Sequence, residues 1–329
     1  MILLVYFNKN ACQYRIMKIS NFNKHSPLIH TYSIVARDSK TGQMGVGVQS
    51  HYFSVGSVVD WGRSGIGVVA TQSFVNKSFG LRGLELMEQG KSPEEALKIL
   101  LSDDEGKDVR QVALLDNQGR TAVHTGSKCI KYAGHEKGKN FSVQANMMLT
   151  DKVWPAMAKA FEKNKNLPLP ERIVKTLEAA EAEGGDIRGK QSAAILIVKG
   201  EQVENKWDDP FIDIRVEDHP KPLKELDRLL KLWRAYENMD KGDVAMEKGD
   251  TNKALEEYNT AREMFPDNLE MKYWTAISLA NNNQMEVALP LLKEIFKKDN
   301  HWRILTVRLP EVEVLNISEN DLNKILNLK

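Results

Sequence analysis

Cysteine is nearly absent: the 329 residues hold two, Cys12 and Cys129. Two isolated cysteines build no disulfide framework and no zinc pattern, and a reducing compartment, the cytoplasm, follows as the simplest reading. An excess of one charge is lacking too. Lys and Arg number 46 against 45 Asp and Glu, so no cationic surplus is left to hold nucleic acid or an anionic membrane. No apolar run approaches the roughly 18 residues that span a bilayer. The opening MILLVYF is apolar but short, with no basic segment before it, and makes a poor signal peptide. Export enters only if the true N-terminus differs. His124, Cys129 and His135 fall at spacings of five and six, which match no common metal site. No metal and no other cofactor is expected. Glycines recur from Gly45 to Gly67, yet no G-x-G-x-x-G or Walker pattern leads into a helix, so they are read as close strand packing and turns. No G-x-S-x-G elbow marks a serine hydrolase.

What is present is a globular composition with 42% hydrophobic residues, in a length that suits about two domains. Residues 1 to about 28 are polar and irregular after MILLVYF and carry a second methionine, Met17. They read as a disordered tail or an over-extended start. Period-two apolar runs then predict strands at Tyr32–Ala36, Met44–Val48 and Ile66–Ser73. A helix is expected over Phe79–Gln89. "SPEEALKILL" opens another, with Ser92 as N-cap, Pro93 behind it and Glu95 reaching back. Gln111–Asp116 and Arg120–His124 form a hairpin around Gly119. Helices near 151–163 and 170–183 precede strands at Ala193–Val198 and Ile212–Val216. Strands, paired helices and strands again indicate an α+β layered domain.

"EDHPKPLKEL" marks a boundary at Pro220 and Pro222, after which the chain reads as helical. "GDTNKALEEYNTAREMFPDN" recurs in degraded form 34 residues on, with Ala254 matching Ala288 and Tyr258 matching Leu292. That period, with small residues at helix crossings, resembles the tetratricopeptide repeat. Gly242, Gly249, Ala254, Tyr258, Ala261 and Pro266 occupy its consensus places, and Ser318 with Asp321 starts a closing helix. Such a unit hides its apolar face only by stacking on neighbours, and it would offer a surface to a protein partner.

Polar residues gather at the ends of the expected strands, and periodicity does not choose among them: Thr31, Ser33, Gln49, Ser50, Thr71, Gln72, Asn76, His124, Thr125, His135, Gln144, Asn146, Asp186, Arg188, Gln191 and Ser192. A dyad of Cys129 with a histidine competes with a plain buried thiol. The segments "TYSIVARD", "GVGVQS", "GVVATQSF", "GLRGLELM", "HTGSKCIKYAGH", "QANMM" and "GGDIRGKQSAAILIV" together resemble the DUF1028 family, a group of uncharacterised bacterial proteins. The resemblance runs from Thr31 to about Glu217.

It implies a four-layer αββα sandwich like that of the N-terminal nucleophile hydrolases, over residues 29–217, with a helical domain over 218–329. It also implies hydrolysis of a small amide or peptide-like bond. Thr31 would attack through its hydroxyl, with its own α-amino group as base. The other catalytic candidates are then Ser33, Asn146 and Asp186. Gln49, Ser50, Thr71, Gln72, Asn76, His124, Gln144, Arg188, Gln191 and Ser192 are candidates for the substrate. Asn146 or Gln144 would serve an oxyanion. Asp186 and Arg188 would orient the amine or hold a substrate carboxylate. Thirty residues precede Thr31 here, and while His30 is attached the nitrogen of Thr31 is an amide and no base. The rival reading is a non-catalytic ligand-binding or scaffold protein that keeps the sandwich and uses the repeat for partners. An assembly of identical chains fits either reading.

Overall fold

The computed structural model describes residues 28–328. The described chain divides into two compact units, with the boundary between Leu223 and Lys224. The expected disordered tail lies outside the described residues except for Leu28, which stands instead in a short strand.

The first unit is a mixed α/β body with two sheets, antiparallel throughout. The first sheet contains β1 (Leu28–Ile29), β4 (Asp60–Arg63), β5 (Gly67–Phe74), β6 (Arg110–Asp116) and β7 (Thr121–Thr125), in the order β1-β5-β6-β7 with β4 also on β5. The second contains β2 (Thr31–Arg37), β3 (Met44–Ser50), β8 (Gly134–Gly138), β9 (Phe141–Ala145), β10 (Ser192–Val198) and β11 (Ile212–Val216), ordered β11-β10-β3-β2-β9-β8. Alternation sorts each strand into two faces. Val35, Val46, Val68, Ala113, Leu115 and Leu196 meet in one buried cluster between the sheets.

The outward faces are covered by helices. On the first sheet, Val69, Val112 and Leu114 pack with Phe79 and Leu84 of α1 (Ser78–Glu88) and Leu97 and Leu100 of α2 (Pro93–Ser102). The cap of α2 forms as its sequence demands: Ser92 Oγ accepts from the Glu95 amide, and the Glu95 carboxylate accepts from the Ser92 amide. On the second sheet, α3 (Val153–Lys163) and α4 (Leu169–Ala182) lie against β2, β3, β8 and β9. Gly47 is required there. A Cβ at that position would stand 2.2 Å from a methyl of Ile173, so α4 rests directly on the strand backbone.

β1, β4, β8 and β9 were not anticipated. β8 reads GHEKG and is exposed on an edge, so it carries no apolar alternation to reveal it. The second unit is helical: it begins within α5 (Pro222–Glu247) and continues with α6 (Thr251–Met264), α7 (Leu269–Asn281), α8 (Met285–Lys298), α9 (His301–Arg308) and α10 (Glu319–Leu326). Ala254, Tyr258 and Ala261 are buried with Ala235 and Met239. A Cβ at Gly242 would strike the ring of Tyr258, at 2.3 Å. No described helix is long and apolar enough to cross a membrane.

Candidate functional site

β2 begins at Thr31, whose register partner across the sheet is Ser50 at the end of β3. Thr31, Ser33 and Val35 share the face that looks at the other sheet. Beyond the apolar cluster, that face turns polar, and a buried network fills the gap. Ser33 Oγ donates to Gln72 Oε1 at 2.6 Å and accepts from Gln144 Nε2 at 2.7 Å. Gln144 Oε1 accepts from Ser142. Gln72 Nε2 donates to Gln111 Oε1 at 2.7 Å and to the Thr31 carbonyl at 3.2 Å. Asn146 Nδ2 reaches the same Gln111 oxygen at 2.8 Å. Gln111 Nε2 in turn donates to Thr125 Oγ1 at 2.9 Å and to the Ala145 carbonyl. A network this deep survives because its members satisfy one another.

Thr31 itself has no exposed surface, and its hydroxyl donates to the Ile29 carbonyl at 3.2 Å. The peptide unit before it is held tightly. The His30 carbonyl accepts from Ser50 Oγ at 2.6 Å and from Arg188 Nη2 at 2.9 Å. Arg188 is aimed by Asp186, whose side chain is fully buried and which takes the guanidinium through both oxygens as well as the His51 amide. Such a bidentate pair fixes direction as well as charge. His30 packs its ring edge against Phe74 at 5.9 Å, and its Nδ1 lies 2.7 Å from Asn146 Oδ1. Burial pulls its pKa below the ordinary histidine value, against the pull of the Asn146 bond.

The candidates thus separate. Thr31, Ser33, Ser50, Gln72, Gln144, Asn146, Asp186 and Arg188 converge around the start of β2. The side chains of the others are engaged elsewhere. Thr71 faces α1 with Val69 and donates to the Asn76 carbonyl, while Asn76 accepts from Ser78 at the head of α1. His124 is turned toward α2 and bonds the Lys107 carbonyl at 2.8 Å. Ser192 donates to the Tyr52 carbonyl and accepts from the Val55 amide. Gln191 bonds Ser50 and His219 through its backbone. Gln49 points to the α4 side beside Tyr32, and its amide nitrogen finds no partner. The Cys129 thiol donates to the Arg110 carbonyl, and burial raises its pKa, which removes thiolate character.

Three members escaped sequence reasoning. Gln111 is the polar residue inside the apolar strand RQVALLD, and that anomaly was the available signal. Ser142 carried none without knowledge of β9. In the sequence His30 shows only as the residue that blocks the Thr31 nitrogen.

An open surface groove of about 790 Å³ lies beside the network, lined by Thr125, Cys129, Lys131, Tyr132, His135 and Trp154 among others. Thr125 Oγ1 lies 2.9 Å from His135 Nδ1, so hydrogen bonds run from this wall through Gln111 and Gln72 to the Thr31 carbonyl. Among the described residues no group of three or more His, Cys, Asp and Glu could hold a metal ion.

Fold and site together define a mixed α/β protein of two antiparallel sheets with a buried carboxamide–hydroxyl network at the head of one inner strand, followed by a helical unit. The model of the family DUF1028, described as a family of unknown function, matches residues 31–226, and the chain belongs to that family. A crystal structure of a DUF1028 protein from Silicibacter pomeroyi is similar, with a TM-score of 0.55 and 29% identity, covering 61% of this chain and 88% of that one. A search of curated proteins returns no match.

Proposed function

We propose that the first unit is an αββα sandwich of the N-terminal nucleophile hydrolase kind, and that Thr31 hydrolyses a small amide or peptide-like bond once the chain is opened at His30–Thr31. The carrying observation is the pair of donors, Ser50 Oγ and Arg188 Nη2, on the His30 carbonyl. Donors preorganised on a carbonyl stabilise the charge that develops there under attack.

Opening can be intramolecular. The Thr31 hydroxyl adds to the His30 carbonyl carbon, the C–N bond breaks, and the Thr31 nitrogen leaves as an amine with the hydroxyl proton. Water then cleaves the resulting ester, giving a His30 carboxylic acid and restoring the hydroxyl. Thr31 now carries an α-amine of pKa roughly 7.7–8.0, suited to take a proton near neutrality. In turnover that amine accepts the hydroxyl proton as Thr31 attacks the substrate carbonyl, and passes it to the departing amine. Water completes the cycle.

The domains proposed are 29–217 for this enzyme and 218–329 for a tetratricopeptide-like unit, supported by the 34-residue spacing of Ala254 and Ala288. The helical unit would serve protein partners. One observation favours a non-catalytic binding protein instead: in the intact chain Thr31 is wholly buried with its hydroxyl engaged. Intact-mass measurement of purified protein separates the two. A new species beginning at Thr31, lost in Thr31→Ala, supports the hydrolase, and a broad amide panel then reads activity. A chain that keeps its mass on prolonged incubation favours the binding protein.

A further inference from the structure

The residues ahead of Thr31 show what an acyl donor would look like in this site. The inference rests on the reading of Thr31 as nucleophile. Leu28 and Ile29 pair antiparallel with Phe74 and Ser73 of β5. They occupy the edge of β5 that β4 leaves free, since β4 pairs only with Gly67–Ala70. Ser73 holds φ +71 at this step, a conformation that costs a non-glycine residue energy and clusters at functional sites. Ile29 is fully buried and packs with Val48 and Val75 between the sheets. His30 is 2% exposed, ring edge on Phe74 and Nδ1 on Asn146. Leu28 is 48% exposed. The buried positions are therefore the two nearest the reacting carbonyl.

We propose that the substrate is an extended peptide, or a peptide-like acyl chain, that adds as a strand to the Ser73–Phe74 edge in place of Leu28–His30. Its acyl residue carries a ring N–H that reaches Asn146 Oδ1, and the residue before it is apolar and branched, filling the place of Ile29. Strand addition takes affinity from main-chain hydrogen bonds and specificity from pockets for individual side chains. The reacting carbonyl then falls where Ser50 and Arg188 already hold one.

The test uses the full chain with Ile29→Asp, which puts a charge into the apolar cluster and releases the segment. Ile29→Ala is the second variant should the first fail to fold. Amide exchange at Ser73, whose N–H lies on the same edge of β5 as that of Thr71, is followed by NMR while acetyl-Leu-Ile-His-amide is added to about 10 mM, a range suited to weak peptide binding. The expected result is faster exchange at the Ser73 amide in the variant, protection restored by this peptide, and affinity at least about tenfold weaker for acetyl-Leu-Asp-His-amide. Protection by neither peptide, equal protection by both, or a segment that stays docked in both variants overturns the proposal. Thr31-dependent turnover without such binding overturns it too while leaving the nucleophile reading intact. Binding without turnover on any panel supports strand addition and counts against the nucleophile alone.

Discussion

Asn146 Oδ1 lies 2.7 Å from Nδ1 of His30, and the rest of the network fixes which partner donates. Asn146 Nδ2 is committed to Gln111 Oε1 and the Thr31 carbonyl, so Oδ1 is the accepting atom and the ring proton sits on Nδ1. Asn146→Ala strips that acceptor from His30 and a donor from Gln111. Leaving buried groups unpaired costs about 1–3 kcal/mol, and urea unfolding should show a loss of that order. Asn146→Asp keeps the acceptor but adds charge, so an NMR titration of His30 should show its pKa rising.

Asp60 gives a pH dependence of its own. It is 6% exposed and neither carboxylate oxygen has a hydrogen-bond partner. Burial raises its pKa to about 8, opposed by Arg215 and assisted by Asp213 and Glu217. A folded pKa above the unfolded value of about 3.9 means that the folded chain holds this proton more tightly. The contribution is full below about pH 4 and is lost as pH rises through about 8. Asp60→Asn removes the titration. Between about pH 5 and about pH 9 the variant should gain on the parent by several kcal/mol at most, at about 1.4 kcal/mol per pKa unit. Denaturant midpoints across that range check it, and parallel curves for the two proteins would refute it.

The inner strands were legible because burial imposes apolar patterning. TYSIVAR and SAAILIV announce themselves, and "SPEE" announces a helix start. β8 and β9 were not, because GHEKG is an exposed edge and FSVQA alternates too briefly. Site residues followed the same divide. Polar residues at strand ends could be named, but strand faces decide their use, and faces need register. Thr71 and Gln72 are neighbours in sequence, yet one faces α1 and the other the network. Nothing in one chain reveals that Gln72 sits opposite Gln111 until β5 and β6 are aligned.

The helical unit offers a packing test. Ala254 on α6 is fully buried in the cluster with Ala235, Met239 and Tyr258. Ala254→Leu inserts three carbons where backbones approach closely, and overpacking of this kind costs roughly 1–3 kcal/mol. Calorimetry should show the helical transition shifted down with the sheet unit unmoved. Both transitions moving together would mean that the two units unfold as one.

Arg188 and Ser50 bear on the central proposal because each donates to the His30 carbonyl and neither carries the attacking atom. Arg188→Lys keeps a positive charge but loses the two-pronged contact with Asp186, so the donor is no longer aimed. Ser50→Ala removes the shorter of the two bonds, at 2.6 Å. Loss of one such donor costs about 10²–10³ in rate when it acts on developing charge. Either variant should slow release of the chain at His30–Thr31 by that order, read as the rate at which the processed mass accumulates. The double variant should be slower still, though by less than the product of the two, since the donors share one oxygen. Thr31→Ala should abolish processing altogether. If both single variants process at the parent rate while Thr31→Ala does not, the carbonyl contacts serve packing, and the charge on the reacting oxygen must be met by other groups.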